Sequence, residues 1–139
     1  MAVGKIIHTS GKRKSSIARA TLREGKGVIR INSFRLETFG NKIARMRILQ
    51  PLKLAAPYVD LNKLDIKVNV RGGGIMSQAD AIASSIARAL AEWITNPGYL
   101  ESVLTYDRTL IAGDYRQTEV HKPSQSSKGP RHKRQKSYR

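Results

Sequence analysis

Cysteine is absent from the 139-residue chain, which removes disulfides, iron–sulfur clusters and thiolate zinc sites and fits a reducing compartment. Histidine is scarce: His8, His121 and His132 stand apart in polar, basic sequence without paired ligand spacing, so no metal site and no cofactor is expected. The N-terminus lacks an apolar run long enough for a secretory signal or a membrane span, and the expectation is a soluble, cytoplasmic protein. Aromatic residues make up 6% of the chain. Phe34, Phe39, Tyr58, Trp93, Tyr99 and Tyr106 lie beside apolar positions and read as core, which leaves little support for a sheet-mounted stacking platform for bases. Ser124, His121 and Glu119 fall within six residues of one another, but in a polar segment that cannot hold them in reactive geometry, so no catalysis is expected.

Acidic residues are also few. There are 26 Lys plus Arg against 10 Asp plus Glu, a formal net charge of +16 and a pI near 10.7, far more basic than solubility requires. Residues 72–114 hold only two cations, Arg88 and Arg108, against Asp80, Glu92, Glu101, Asp107 and Asp114. The positive charge is therefore segregated toward both ends, and a polyanionic partner follows. Residues 122–139 carry seven Lys or Arg, no acid and a single large apolar group, Tyr138. Such a segment cannot bury enough surface to fold alone, and its two prolines and one glycine present the charges on an extended chain. It reads as an RNA-threading tail, residues 122–139, following a globular RNA-docking domain, residues 1–121.

Within that domain, Leu64, Ile66, Val68 and Val70 alternate with Asp65, Lys67, Asn69 and Arg71, the period of a half-buried strand. Residues 17–23 alternate likewise, the Glu24-Gly25-Lys26-Gly27 cluster supplies a turn, and residues 28–31 return, which predicts a hairpin with arginines along one face. Residues 5–9 suit an edge strand. Residues 34–60 predict short helices, one of them starting at Pro51 and limited by Pro57. Over residues 77–95, Ala79, Ile82, Ala83, Ile86, Leu90, Trp93 and Ile94 form one apolar stripe, Ser77 with Asp80 resembles a capping box, and Asn96-Pro97-Gly98 ends the helix. The fold class is α+β, a sheet with helices packed on one face. The other face then collects Arg19, Arg23, Lys67 and Arg71.

Lys12, Arg13 and Lys14 with Ser15 and Ser16 read as a loop beside Gly11, whose cations suit phosphates and whose hydroxyls suit phosphate or ribose oxygens. Arg71-Gly72-Gly73-Gly74 joins the best strand to the best helix. No Gly-Lys-Ser/Thr and no dinucleotide spacing follow, so it reads as a tight turn near an RNA backbone rather than a nucleotide loop.

Four stretches identify a family. Residues 11–19 (GKRKSSIAR), residues 72–81 (GGGIMSQADA) running on to 87–90, residues 114–119 (DYRQTE) leading to Lys122, and residues 135–139 (QKSYR) resemble the universal small-subunit ribosomal protein nine, in its archaeal and eukaryotic form. The Ser-Tyr-Arg ending supports that form, and residues 123–127 depart from the usual pattern. A free RNA chaperone or nucleoid protein, and the protein subunit of ribonuclease P, suit the same charge; the near full-length motif matches argue against both.

The resemblance implies a fold like a domain of ribosomal protein five, with a left-handed β-α-β crossover, and a structural place in the subunit head, beside ribosomal proteins ten and fourteen. It implies ribosomal RNA contacts for Lys12, Arg13, Lys14, Ser15, Arg19, Arg71, Gly72, Gly73, Gly74, Arg116, Lys122, Lys128, Arg131, Lys133 and Arg134. It implies that Lys136, Ser137, Tyr138 and Arg139 touch peptidyl-site tRNA.

Overall fold

Two alternating strands set the core. In a computed structural model, which describes residues 5–120, Ala18, Ala20 and Leu22 of β2 (Ser16–Glu24) and Leu64, Ile66, Val68 and Val70 of β5 (Leu64–Arg71) are buried on one face of the sheet. With β1 (Ile6–Arg13), β3 (Ile29–Ile31) and β4 (Phe34–Arg35) they form a five-stranded sheet in the order β1-β2-β5-β3-β4. All pairs are antiparallel except β3 with β5.

The expected hairpin between residues 17–23 and 28–31 does not form. The turn at Gly25–Gly27 instead wraps the end of β5: Gly25 N donates to Lys63 O at 2.8 Å, and the amides of Lys26 and Val28 donate to Asp65 Oδ1 at 2.9 and 3.1 Å. This carries the chain to the far edge of β5, where Ile31 pairs with Val68, the residue Ala20 pairs with on the other side. The hairpin that does form is β1–β2, closed by Lys14 and Ser15 with Lys14 at φ 53°. Residues 11–16, expected as a loop, are therefore mostly paired strand, and the predicted edge strand extends to Arg13.

The layer against the sheet is α2 (Ile75–Trp93), close to the predicted 77–95. Its N-cap is Gly74, with no side-chain cap, so the expected Ser77/Asp80 capping box is absent and Asp80 bonds Arg47 instead. Nor is there one apolar stripe. Ala79, Ala81 through Ala87, Ala89 and Leu90 are all buried, because α2 lies between the sheet and the remaining helices and must be apolar or small nearly all round. Small residues let strand and helix backbones touch: a Cβ on Gly11 would lie 2.2 Å from Ala81 O.

Helix α1 (Lys42–Ala55) is continuous rather than broken before Pro51, and it buries Ala44, Ile48, Leu52 and Ala55. Pro51 sits within it, three turns in, where it leaves the Arg47 carbonyl without its helical donor. Asn96 caps α3 (Pro97–Tyr106), and α4 (Thr109–Ala112) follows. Tyr99 is fully buried, edge-on to Tyr58, but Phe34, Tyr58 and Tyr106 are exposed, contrary to the core role expected of them. Phe34 shares Ile31's face of the sheet but belongs to the outermost strand, with no further strand to cover it.

Candidate nucleic-acid interface

The register brings cations of all five strands onto the sheet face opposite α2. Across the strands run the ranks Lys12–Ile17–Arg71, Ser10–Arg19–Asn69, His8–Thr21–Lys67–Arg30–Arg35 and Ile6–Arg23–Asp65. Lys12, Arg19, Arg23, Arg30, Arg35, Lys67 and Arg71 are exposed there, and among the described residues Asp65 is the carboxylate that shares this face. Asp65 is occupied: the amides of Lys26 and Val28, with Arg23 and Arg30 nearby, hold its carboxyl below the usual range. Lys67, Arg30 and Arg35 stand directly opposite one another on three adjacent strands. Like charges in that position oppose folding, so the rank does not serve the stability of the sheet.

The basic triplet divides. Lys12 and Lys14 are exposed, while Arg13 turns inward with 17% of its side chain exposed. It donates to Arg116 O at 2.9 Å and pairs with Asp114 at 3.3 Å and Asp80 at 3.9 Å. Arg47 joins the same cluster, bonding Asp80 and Asp107 at 2.9 Å each. Burial pushes the Asp107 carboxyl up, but the Thr109 hydroxyl and amide and Arg47 outweigh it and hold the group below its ordinary value. The side chain and amide of Arg116 hold Asp114 far below the carboxylate range. Three of the five acids of residues 72–114, Asp80, Asp107 and Asp114, are thus counter-ions of Arg13, Arg47 and Arg116.

The glycines serve the protein's own backbone. Gly72 and Gly73 have φ of 79° and 67°; a Cβ on the first would lie 2.4 Å from Ser15 O, and on the second 2.0 Å from Ser16 Oγ. Ser16 donates to Gly72 O at 2.9 Å, so the β1–β2 turn and the β5–α2 turn are pressed together. Gly74 alone of the three faces open space, and Ser15, in the β1–β2 turn, is exposed. Arg30 is not legible on this face from residue order because β3 pairs with β5 rather than β2, and Arg35 is not because Phe34–Arg35, expected at the start of a helical stretch, form strand β4. Lys122, Lys128, Arg131, Lys133, Arg134, Lys136, Ser137, Tyr138 and Arg139 lie outside the described residues.

Among the described residues no group of His, Cys, Asp or Glu is placed to hold a metal ion, and no helix is long and apolar enough to cross a membrane. A basic sheet face over a buried apolar helix has many possible owners, and sequence relatives narrow them. A family model described as Ribosomal protein S9/S16 matches residues 11–139. The chain belongs to the ribosomal protein S9 family. The protein "Small ribosomal subunit protein uS9" of Methanococcus maripaludis strains S2 and C7 is 49% identical over 135 residues, covering 97% of this chain and 99% of the relative. That of Methanococcus vannielii is 48% identical over the same span. Membership makes the chain a structural, non-enzymatic component of the small subunit of the cytoplasmic ribosome, where its partner is ribosomal RNA.

Proposed function

We propose that the open sheet face is the docking surface for ribosomal RNA of the subunit head, with Lys12, Lys14, Ser15, Arg19, Arg71 and Gly74 at the contact. Arg13, Gly72, Gly73 and Arg116 hold the two turns that present them. The observation that carries this reading is the rank Lys67–Arg30–Arg35, whose mutual repulsion is relieved by phosphates threaded between them.

Beyond the globular domain of residues 1–121, the tail of residues 122–139 continues the contact. Lys122, Lys128, Arg131, Lys133 and Arg134 lie along ribosomal RNA, and Lys136, Ser137, Tyr138 and Arg139 meet the anticodon stem-loop of peptidyl-site tRNA. Eighteen extended residues span on the order of 60 Å, enough to leave one surface and reach a second ligand. The terminal guanidinium of Arg139 is suited to fork onto phosphate oxygens. Ribosomal proteins ten and fourteen are the proposed neighbours.

Reconstituted small subunits test both parts. Chain carrying Arg30→Glu and Lys67→Glu should leave the subunit in a high-salt wash that the parent survives. Arg139→Ala should assemble normally and weaken peptidyl-site tRNA by about 1 to 2 kcal/mol, as for one charge-assisted hydrogen bond, with Arg139→Lys recovering part of the loss. Retention of the double variant would remove the sheet face from the contact, and unchanged tRNA affinity would remove the tail tip.

A further inference from the structure

Beside the point where the described chain leaves the domain lies an open hollow of about 520 Å³, lined by Lys12, Lys14, Arg88, Arg108, Tyr115 and Gln117 among others. Among the described residues Asp114 is the one carboxylate in its wall, and it is already engaged by Arg13 and Arg116. Arg88 is fixed in place, its Nε bonding Ile111 O and its Nη1 bonding Ser10 O, each at 2.8 Å. Its Nη2 lies toward Gly113, which has φ 84° and where a Cβ would come within 3.3 Å of that nitrogen. The glycine keeps the hollow open above a held guanidinium.

Tyr115 is 93% exposed. Its direction is set by its neighbours: Asp114 pairs with Arg13 through both a strand bridge and an ion pair, and Arg116 folds back onto Asp114 with its backbone oxygen held by Arg13. With both flanking residues tied to Arg13, the ring is presented to solvent at the rim of a cationic hollow. An exposed aromatic so placed has no role in the core.

We propose that this hollow is a subsite for one unpaired nucleotide of RNA, with its phosphate among Lys12, Lys14, Arg88 and Arg108 and its base stacked on Tyr115. Cations alone would suit any phosphate; the ring adds a flat apolar surface that fits a base. The volume lies in the range of small-ligand sites. The subsite rests on the reading that the chain docks on ribosomal RNA, and it adds selectivity for an unstacked base to a surface that otherwise reads backbone charge.

The test compares a decamer of unpaired adenylates with an abasic phosphodiester of the same length, binding to full chain carrying Tyr138→Ala so that the tail's ring does not contribute. The chain should prefer the adenylates about tenfold. Adding Tyr115→Ala should erase that preference, Tyr115→Phe should keep it, and Arg108→Ala should flatten the salt dependence for both probes by about 0.7 in slope. Arg30→Ala with Lys67→Ala should weaken both probes alike. If Tyr115→Ala leaves the preference intact, or the parent shows none, while the sheet variants still weaken binding, the subsite is wrong and the docking surface stands. If neither set of substitutions weakens binding, the docking reading itself falls. If Tyr115→Ala leaves RNA binding unchanged but loosens a neighbouring protein in reconstituted subunits, the hollow is a protein site and the proposal is overturned.

Discussion

Arg13 Nη2 lies 3.3 Å from Asp114 Oδ2, which joins the first strand to the segment about a hundred positions later that leads out of the domain. The bond reverses the meaning of the basic triplet. Lys12 and Lys14 face solvent, while the residue between them is the counter-ion of two carboxylates and a donor to the Arg116 carbonyl. The exit of the chain is thereby fixed by the same turn that presents the two lysines.

Removing that link should loosen the exit. Arg13→Ala is expected to lower stability by about 1 to 3 kcal/mol, since it leaves a backbone carbonyl and two half-buried carboxylates short of a partner. It should also expose residues 113–120 to faster amide exchange. Arg13→Lys should recover only part, because one ammonium cannot reach all three acceptors. Unchanged exchange in residues 113–120 of Arg13→Ala would show that the exit is held by other bonds.

Acid should attack the same cluster. Asp107 and Asp114 both have native pKa values below the ordinary one. The stability they contribute is therefore present above the unfolded value, near pH 4, and is lost as pH falls through the depressed native values. Urea unfolding should give similar midpoints at pH 7 and 5 and a lower one at pH 3. Asp107→Asn should lower the midpoint at pH 7 and shrink the drop between pH 5 and 3.

Close packing of strand on helix makes Gly11 intolerant. A Cβ there would lie 2.2 Å from Ala81 O and 2.7 Å from Ser85 N, both backbone atoms that cannot move alone. Gly11→Ala should destabilise the domain by about 1 to 3 kcal/mol or more, read as a lower denaturant midpoint at unchanged slope. A variant as stable as the parent would mean that β1 and α2 can separate without cost.

On the open face the signs run the other way. Arg30→Ala removes a cation that faces Lys67 on one side and Arg35 on the other. It should leave stability unchanged or raise it by a few tenths of a kcal/mol, while weakening ribosomal RNA binding and lowering the salt slope by roughly 0.7 to 0.9. A clear loss of stability would assign Arg30 to the fold rather than to RNA.

Much of this was readable from residue order. Alternation in residues 64–71 located β5 and its two faces, and the apolar repeat located α2 within two residues at each end. The neighbours of β5 were not readable, because the Gly25–Gly27 turn resembles a hairpin turn and the bonds that route it across Asp65 come from a residue some forty positions away. Pro51 misled for a related reason: it is a local break signal, and packing of Ile48, Leu52 and Ala55 against the domain overrides it.

Charge and periodicity are local properties of a chain, so the polyanionic partner, the α+β class and the basic strand faces could be read from residue order and composition alone. Long-range pairing is different. That Arg30 and Arg35 join the open face, that Arg13 leaves it, and that Gly72 and Gly73 admit Ser15 and Ser16 all depend on contacts between residues far apart in sequence. Each is decided by which backbone groups find partners once α2 is buried, and one added Cβ or one changed strand neighbour would alter it without changing the chain's charge or its hydrophobic rhythm.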